Sequence, residues 1–224
     1  RDIKDITHFM EEAKRMTLKV LGPDVNESFY QFAVNKKGEI RFGLGAVKGV
    51  GKSAVEAIVN ERKENGDFRS FDDFVQRVNL RSANKRALES IVYAGGFDSF
   101  GIYRSQYFNV EKDQSYVEQM IKFGNKIQDR KKSNQFDMLG NSSEANIQIP
   151  APADISPWNT MKLLSHEKEV VGMYISGHPL DDYVIEINNF CNSNLGVLND
   201  LDKIKNRELR FAGVVIDFEE KETK

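Results

Sequence analysis

The sequence predicts a mainly α-helical protein with one small β-hairpin near its start and one strand near its end. Apolar residues recur at three- and four-residue intervals through most of the chain, which is typical of amphipathic helices. Glycines separate the helical stretches. Alternation of apolar and polar residues, which is typical of strands, is confined to short stretches near the two ends.

Composition describes an ordinary globular protein. The chain has 224 residues, is 40% hydrophobic and 29% charged, and carries a net charge of −2. No apolar run approaches the ~20 residues that a membrane span needs, and no signal peptide opens the chain, so we expect a cytoplasmic protein without a membrane partner. A single cysteine, Cys191, and three scattered histidines give no disulfide and no zinc spacing. We therefore expect no metal site, and the start at Arg1 without an initiator Met predicts a piece of a longer protein.

The first elements are predicted from residues 3 to 42. Helical spacing covers Ile3 to Leu21 and stops at Gly22-Pro23. Phe29 to Val34 and Glu39 to Phe42 have strand character, and the intervening Asn35-Lys36-Lys37-Gly38 suits a tight turn. A small hairpin is expected there.

Helices are then predicted one after another. They lie near Gly43 to Lys48, from Lys52 to about Asn65, after the N-cap candidate Ser70, from about Ser82 to Tyr93, and from about Ile102 to Lys132.

Less regular segments fill the rest of the chain. Ser133 to Pro157 is rich in Pro, Ser and Asn and predicts an exposed loop. Trp158 to Ile175 returns to helical spacing, and Glu208 to Phe218 alternates as a strand. Because one strand cannot stand alone, that strand predicts the start of a truncated domain.

The segment from Gly45 to Ala54 allows three interpretations. Gly51-Lys52-Ser53 is the end of a P-loop, G-x-x-x-x-G-K-[ST], but its first glycine position is occupied by Ala46. A dinucleotide fingerprint, G-x-G-x-x-G, fails because its last position is Lys48. The third interpretation is a helix-hairpin-helix, and the alternative to it is a plain turn between two helices.

A helix-hairpin-helix gives these glycines a physical role. Gly49 and Gly51 allow the backbone to approach a ligand closely, and the N–H groups at the start of the next helix favour an anion. Such contacts hold the DNA backbone without reading its sequence. The predicted DNA-binding residues in this segment are Lys48, Gly49, Val50, Gly51, Lys52 and Ser53.

A second unit is predicted about 45 residues later. Asn84 to Ala94, the turn Gly95 to Asp98, and a helix from Ile102 repeat the order helix, hairpin, helix. The turn lacks a second glycine, so its role is expected to be chiefly structural. Three basic residues beside this unit complete the predicted DNA-binding set: Arg81, Lys85 and Arg86.

Three blocks of sequence resemble a known family. In order, Leu21 to Ser28, Ile40 to Gly51 and Ile175 to Tyr183 are similar to the bacterial DNA polymerase III alpha subunits, the family C replicative polymerases. The resemblance covers essentially the whole chain.

The resemblance implies a division of the chain into five parts. They are the end of a fingers domain (1–40), a tandem helix-hairpin-helix domain that binds DNA and the clamp (41–132), an exposed loop with a clamp-binding peptide (133–157), a helical connector (158–206) and the start of an OB domain (207–224). It implies double-stranded DNA, a sliding clamp and other replicase subunits as partners. The family's catalytic aspartates, and the Mg they hold, would lie before Arg1, so no catalytic residue and no cofactor are expected here.

The loop contains the second predicted site, a clamp-binding peptide. Gln135-Phe136-Asp137-Met138-Leu139 is similar to the family's internal clamp-binding peptide, which combines a leading Gln with two terminal apolar residues. Met138 and Leu139 suit an apolar groove. Leu139 stands where an aromatic residue would fill more of the pocket.

Two alternative functions remain for this chain. One is a P-loop-like nucleotide-binding enzyme. The other is a helix-hairpin-helix module of a repair nuclease or ligase, which the block from Ser176 to Tyr183 does not fit.

Overall fold

The computed structural model describes residues 8–10, 12–13, 15–111, 113–136, 148–193, 195–199, 204–205, 207–215 and 219–220. The chain divides into two compact units, Arg1–Ser176 and Gly177–Lys224. The division falls inside the predicted connector, 158–206.

Helices dominate both units, as the sequence predicts. The helices of the first unit are a 3-10 helix Leu44–Ala46, α1 Lys52–Asn65, α2 Phe71–Arg77, α3 Lys85–Tyr93, a 3-10 helix Asp98–Phe100, α4 Arg104–Tyr107, α5 Tyr116–Phe136 and α6 Thr160–Val171. Those of the second unit are a 3-10 helix Asp181–Tyr183, α7 Val184–Phe190 and a 3-10 helix Leu195–Asn199. The strands are β1 Val20–Leu21, β2 Ala33–Val34, β3 Ile40–Arg41, β4 Val110–Glu111 and β5 Gln114–Ser115.

The predicted β-hairpin is confirmed. Strands β2 and β3 are antiparallel, with Ala33 opposite Arg41. Asn35 Oδ1 accepts hydrogen bonds from the N–H groups of Lys37 and Glu39 at 2.9 and 3.0 Å, which closes the turn. The paired segments are shorter than predicted.

The first helix ends earlier than the predicted boundary at Leu21. Described residues are helical only as far as residue 15, and Thr17 has a φ of 60°. Val20–Leu21 instead forms β1, which pairs in parallel with β3. The apolar residues at positions 18 and 20 continue the helical spacing, but Val20 pairs with Ile40 and is extended.

Side-chain caps fix the starts of α2 and α3, whereas α1 has none. Helix α1 has the predicted bounds, Lys52–Asn65. Ser70 caps α2 by accepting the N–H of Asp73 at 3.3 Å. Helix α3 begins three residues later than predicted because Asn84 Oδ1 accepts the N–H of Ala87 at 3.1 Å.

The single long helix predicted from Ile102 to Lys132 is wrong. The chain forms α4, then the hairpin of β4 and β5, and only then α5. A cap explains the late start of α5, because Glu118 Oε2 accepts the N–H of Ser115 at 2.8 Å and Ser115 Oγ accepts the N–H of Glu118. Helix α5 runs on to Phe136, so the segment predicted as a loop begins four residues later than expected.

The core of the first unit is aromatic. Phe71 and Phe97 meet edge to face with their ring centroids 5.0 Å apart, and Phe71 meets Tyr107 in the same way at 4.9 Å. Helix α5 packs tightly on α2, because a Cβ built on Gly124 would lie 2.4 Å from the Val75 carbonyl oxygen. These contacts fix the helices whose ends carry the predicted site.

The strand predicted from Glu208 to Phe218 is not formed in the described residues of the second unit. The N–H groups of Asn192 and Ser193 both donate to the Arg210 carbonyl oxygen, at 2.9 and 3.2 Å. Residues 207–215 are described and form no strand, whereas residues 216–218 of the predicted strand lie outside the described part of the chain. None of the helices in the described residues is long and apolar enough to cross a membrane.

Candidate nucleic-acid interface

The predicted hairpin, residues 47–51, is a turn with a buried side and an exposed side. Val47 and Val50 are 2% and 7% exposed and belong to the hydrophobic core. Lys48, Gly49 and Gly51 are exposed. The two valines therefore anchor the turn while its glycines and lysine face the solvent.

Gly49 has two reasons to be glycine. Its φ is +85°, a conformation that side chains with a Cβ rarely adopt. A Cβ built on Gly49 would also lie 3.1 Å from Ser90 Oγ and 3.5 Å from Arg86 Nε, both on α3. The hairpin thus lies against α3.

Three N–H groups at the start of α1 are available to a ligand. Gly51 is the N-cap and offers no side-chain cap, and the N–H groups of Ala54 and Val55 donate to its carbonyl at 3.1 and 3.2 Å. Within the described part of the chain, the N–H groups of Gly51, Lys52 and Ser53 have no acceptor. A helix N-terminus with free donors and a positive dipole end favours an anion.

Helix α6 holds the backbone of the hairpin through one hydrogen bond. The Lys48 N–H donates to the Val170 carbonyl oxygen at 2.8 Å. Val170 lies in the last turn of α6, where carbonyl groups lack partners within the helix. One bond therefore satisfies a helix end and fixes the turn.

The predicted cations differ in how far carboxylates neutralise them. Lys48 and Arg86 are exposed, and neither forms an ion pair with any described residue. Lys52 Nζ lies 3.7 Å from Glu56 Oε1, with both side chains exposed, which is a weak interaction.

Lys85 is largely neutralised. Its Nζ lies 2.7 Å from Glu118 Oε1 and 3.7 Å from Glu89 Oε1. The hydrogen bond to Glu118, together with the charge of Glu89, raises the pKa of Lys85. The structure therefore favours Arg86 over Lys85 as the cation beside the hairpin.

Arg81 lies in the turn between α2 and α3. Its N–H donates to Asn79 Oδ1 at 3.0 Å, and its side chain is exposed. Arg81 lines a groove together with Lys132 of α5. The structure thus brings Arg86 to the first hairpin and places Arg81 in this groove.

The second predicted hairpin, Gly95 to Asp98, uses its backbone groups internally. The N–H groups of Gly95 and Gly96 donate to the carbonyl oxygens of Val92 and Ile91 at 2.9 and 2.8 Å, and the Gly96 carbonyl accepts the N–H of Val25.

The space above Gly95 is filled by the buried Arg104. A Cβ on Gly95 would lie 2.2 Å from Arg104 Nη2. Arg104 is bound by Asp98 at 2.6 Å and by the buried Glu167 at 3.3 Å. Both features agree with the structural role that the sequence predicts for this turn.

Sequence reasoning missed one feature of the interface. The contact between Gly49 and Arg86 joins residues far apart in sequence, so no local signal announces it.

The predicted clamp-binding peptide is only partly described. Positions 135 and 136 belong to the last turn of α5, and Asp137, Met138 and Leu139 lie outside the described residues. After the peptide, Ser105 Oγ donates to the Ser156 carbonyl at 2.9 Å and Gln106 Nε2 to the Ala153 carbonyl at 2.6 Å. The segment that follows the loop is therefore fastened to α4.

The geometry disfavours the P-loop interpretation. The element directly before the turn is the 3-10 helix Leu44–Ala46. A P-loop instead follows a strand of a parallel sheet. In the described residues, no cluster of three or more His, Cys, Asp or Glu side chains is arranged to hold a metal ion.

Comparison with known proteins gives two findings. A family model described as a helix-hairpin-helix motif matches residues 17–107. The chain is also similar to DNA polymerase III subunit alpha of Escherichia coli (strain K12), with 35% identity over 186 residues. These cover 83% of this chain and 16% of the relative.

Two further relatives carry the same name. The protein of Borreliella burgdorferi is 34% identical over 212 residues, and that of Vibrio cholerae is 30% identical over 212 residues. Each match covers 94% of this chain and 18% of the relative. The chain thus spans less than a fifth of the length of the relatives it matches.

Proposed function

Because the chain is homologous to one segment of the bacterial DNA polymerase III alpha subunits, we propose that it holds template-primer duplex through the phosphate backbone. The observation that carries this proposal is the exposed turn at Gly49 and Gly51. It is followed by three N–H groups of α1 that lack acceptors among the described residues.

Phosphate fits this turn for three physical reasons. Free N–H groups at a helix N-terminus donate to phosphate oxygens, and the helix dipole favours their charge. The exposed glycines let a backbone approach without a side chain between them. Lys48 and Arg86 add positive charge without a carboxylate partner in the described residues. Such contacts fix the position of a duplex and leave its sequence unread.

The second part of the proposal is docking on a sliding clamp. The peptide Gln135 to Leu139 offers an amide and two terminal apolar side chains to a groove on the clamp. Helix α5 ends at Phe136, and the segment near Ser156 is bound to α4. The peptide is therefore attached to the DNA-holding unit on both sides.

The activity of a whole polymerase would then come from the longer protein. We propose that the parent is a DNA-directed DNA polymerase of the bacterial cytoplasm that binds Mg and further replicase subunits. The present chain would contribute DNA holding and clamp docking without nucleotidyl transfer.

Salt-dependent binding to a labelled duplex tests the DNA-holding role. We expect fluorescence anisotropy to show sequence-independent binding that weakens between ~50 and ~200 mM salt. The double variant Lys48→Gln/Lys52→Gln should reduce the slope of log affinity against log salt, by roughly 0.9 for each phosphate that the variant no longer neutralises. Lys36→Gln/Lys37→Gln, in the turn between β2 and β3, is the matched control.

Two outcomes would contradict this role. One is an unchanged salt slope in the hairpin variant, and the other is an equal reduction of the slope in the control. Binding of ATP without binding of DNA would instead favour the P-loop alternative.

A separate experiment tests clamp docking. The triple variant Gln135→Ala/Met138→Ala/Leu139→Ala should lose binding to the purified clamp and keep its affinity for DNA. The control is Asn141→Ala/Ser142→Ala/Ser143→Ala, a few residues further along the sequence. If both activities fell together, the peptide would be part of the fold.

A further inference from the structure

The groove that Arg81 and Lys132 line is polar and lies between the turn that precedes α3 and the C-terminal half of α5. We infer that this groove, which we name the α5 groove, holds a further stretch of the phosphate backbone of the duplex bound at the hairpin. The inference rests on the proposed DNA-holding function. The residues that line the groove are Arg77, Asn79, Leu80, Arg81, Asn125, Gln128, Asp129 and Lys132.

The two walls of the groove are fixed to each other. Gln128 Nε2 donates to the carbonyl oxygens of Val75 and Val78, both at 2.9 Å. Gly124 allows the close approach, because a Cβ there would lie 2.4 Å from the Val75 oxygen and 2.9 Å from a methyl carbon of Leu80. The groove is therefore a preformed surface, and little ordering is needed to use it.

The unpaired charge in the groove is positive. Arg81 and Lys132 are exposed, and neither forms an ion pair with any described residue. Arg77 is already bound by Glu61 and Asp73, each at 2.9 Å. One carboxylate, Asp129, lines the groove itself, where the two unpaired cations outnumber it.

The hydrogen-bonding groups of the groove suit phosphodiester oxygens. Guanidinium and ammonium groups donate strongly to phosphate, and Asn and Gln side chains commonly contact the DNA backbone. The groove contains both kinds of group, since Asn79 and Asn125 line it beside the two cations. It offers few apolar side chains, which disfavours a peptide anchored by large hydrophobic residues.

The hairpin and the groove are close enough for one duplex. Arg86 lies against Gly49, and Arg81 precedes Arg86 by five residues. Five residues span at most about 18 Å. Because a strand of duplex rises ~3.4 Å per nucleotide, that length corresponds to about five base pairs. The backbone of Arg81, at the groove, therefore lies within the length of about five base pairs of the backbone of Arg86, beside the hairpin.

The test compares charge-removing variants of the whole chain by anisotropy with a labelled duplex. Arg81→Gln and Lys132→Gln should each lower the salt slope by roughly 0.9, and the double variant should lower it by about twice that amount. Lys122→Gln is the matched control, because Lys122 is exposed on the same helix and does not line the groove. Thermal unfolding of each variant confirms that the fold is kept.

The outcomes separate this inference from the hairpin proposal. Groove variants that bind like Lys122→Gln would overturn the inference, whatever the hairpin variants do. Groove variants that bind DNA more weakly while Lys48→Gln/Lys52→Gln binds normally would support the groove and contradict the hairpin. Poly-glutamate carries negative charge but no phosphate. If it competed for the groove as effectively as unlabelled duplex does, the assignment to a phosphodiester backbone would be overturned.

Discussion

Gly49 and Arg86 lie next to each other, although one belongs to the first hairpin and the other to the first turn of α3. A Cβ on Gly49 would lie 3.5 Å from Arg86 Nε and 3.6 Å from its Cγ. The free N–H groups of α1 and the cation of α3 therefore belong to one surface.

The backbone conformation of Gly49 predicts that substituting this residue affects both stability and DNA binding. Gly49→Ala should lower the free energy of unfolding by ~1–2 kcal/mol, because a Cβ is strained at a φ of +85°. It should also weaken duplex binding, since relief of this strain would shift the turn and the exposed N–H groups that follow it at the start of α1. Urea unfolding and anisotropy measure the two effects.

Gly38 provides the control for this prediction. Its φ is +79° and a Cβ there meets no atom within 4 Å. Gly38→Ala should be destabilised to a similar extent and keep its affinity for DNA. Equal affinities of the two variants for duplex would contradict a role of the hairpin backbone in binding.

Tyr107 carries a buried hydroxyl group without a partner. The side chain is 1% exposed, its hydroxyl oxygen has no hydrogen bond in the described structure, and burial raises its pKa. Tyr107→Phe should raise the free energy of unfolding by about 1 kcal/mol, because an unsatisfied polar group is removed without a change of shape. Tyr116→Phe is the control, and denaturant midpoints give the comparison. A drop in stability in Tyr107→Phe would mean that the hydroxyl has a partner.

The pair Lys85 and Glu118 predicts a pH effect in the acid range. The hydrogen bond from Lys85, followed by that from the Ser115 N–H, lowers the pKa of Glu118 to about 2. Because the pKa is lower in the folded state, its stabilising contribution is present above the ordinary value of 4.5 and is lost as the pH falls through about 2.

Replacing Lys85 tests this origin of the shift. In Lys85→Met the pKa of Glu118 should rise toward its ordinary value, which an NMR titration of the carboxyl carbon measures. Lys131→Met, which removes a charge more than three turns further along α5, should leave the titration unchanged. A Glu118 pKa that stays low in Lys85→Met would assign the effect to Ser115.

Trp158 can report on the protonation of His166. Their ring centroids are 4.6 Å apart, and Trp158 is the only tryptophan of the chain. Burial lowers the pKa of His166 below its ordinary value of 6.5. The folded protein therefore favours the neutral imidazole. This contribution to stability is fully present above pH 6.5 and is lost as the pH falls below that value. Trp158 fluorescence should fall with a midpoint below 6.5. His166→Gln should abolish that change, whereas His8→Gln should keep it.

The sequence predicts those parts of the fold that local signals determine. The bounds of α1, the Ser70 cap and the Asn35 turn all depend on residues within a few positions, and all three are confirmed. The parallel pairing of β1 and the interruption before α5 were missed, because tertiary contacts override helical spacing there.

In the candidate site, too, the sequence predicts only what depends on neighbouring residues. The exposed glycines are evident from the sequence. The approach of Arg86 and the neutralisation of Lys85 by Glu118 depend on how separate helices pack, and the sequence carries no direct sign of either.

The bond from the Lys48 N–H to the Val170 carbonyl has a consequence for folding order. The two residues are more than a hundred positions apart. Contacts between distant residues form slowly, because the chain must first close a large loop. During synthesis the turn would leave the ribosome well before α6 exists, so it would acquire its final backbone position only after the later helix has been made.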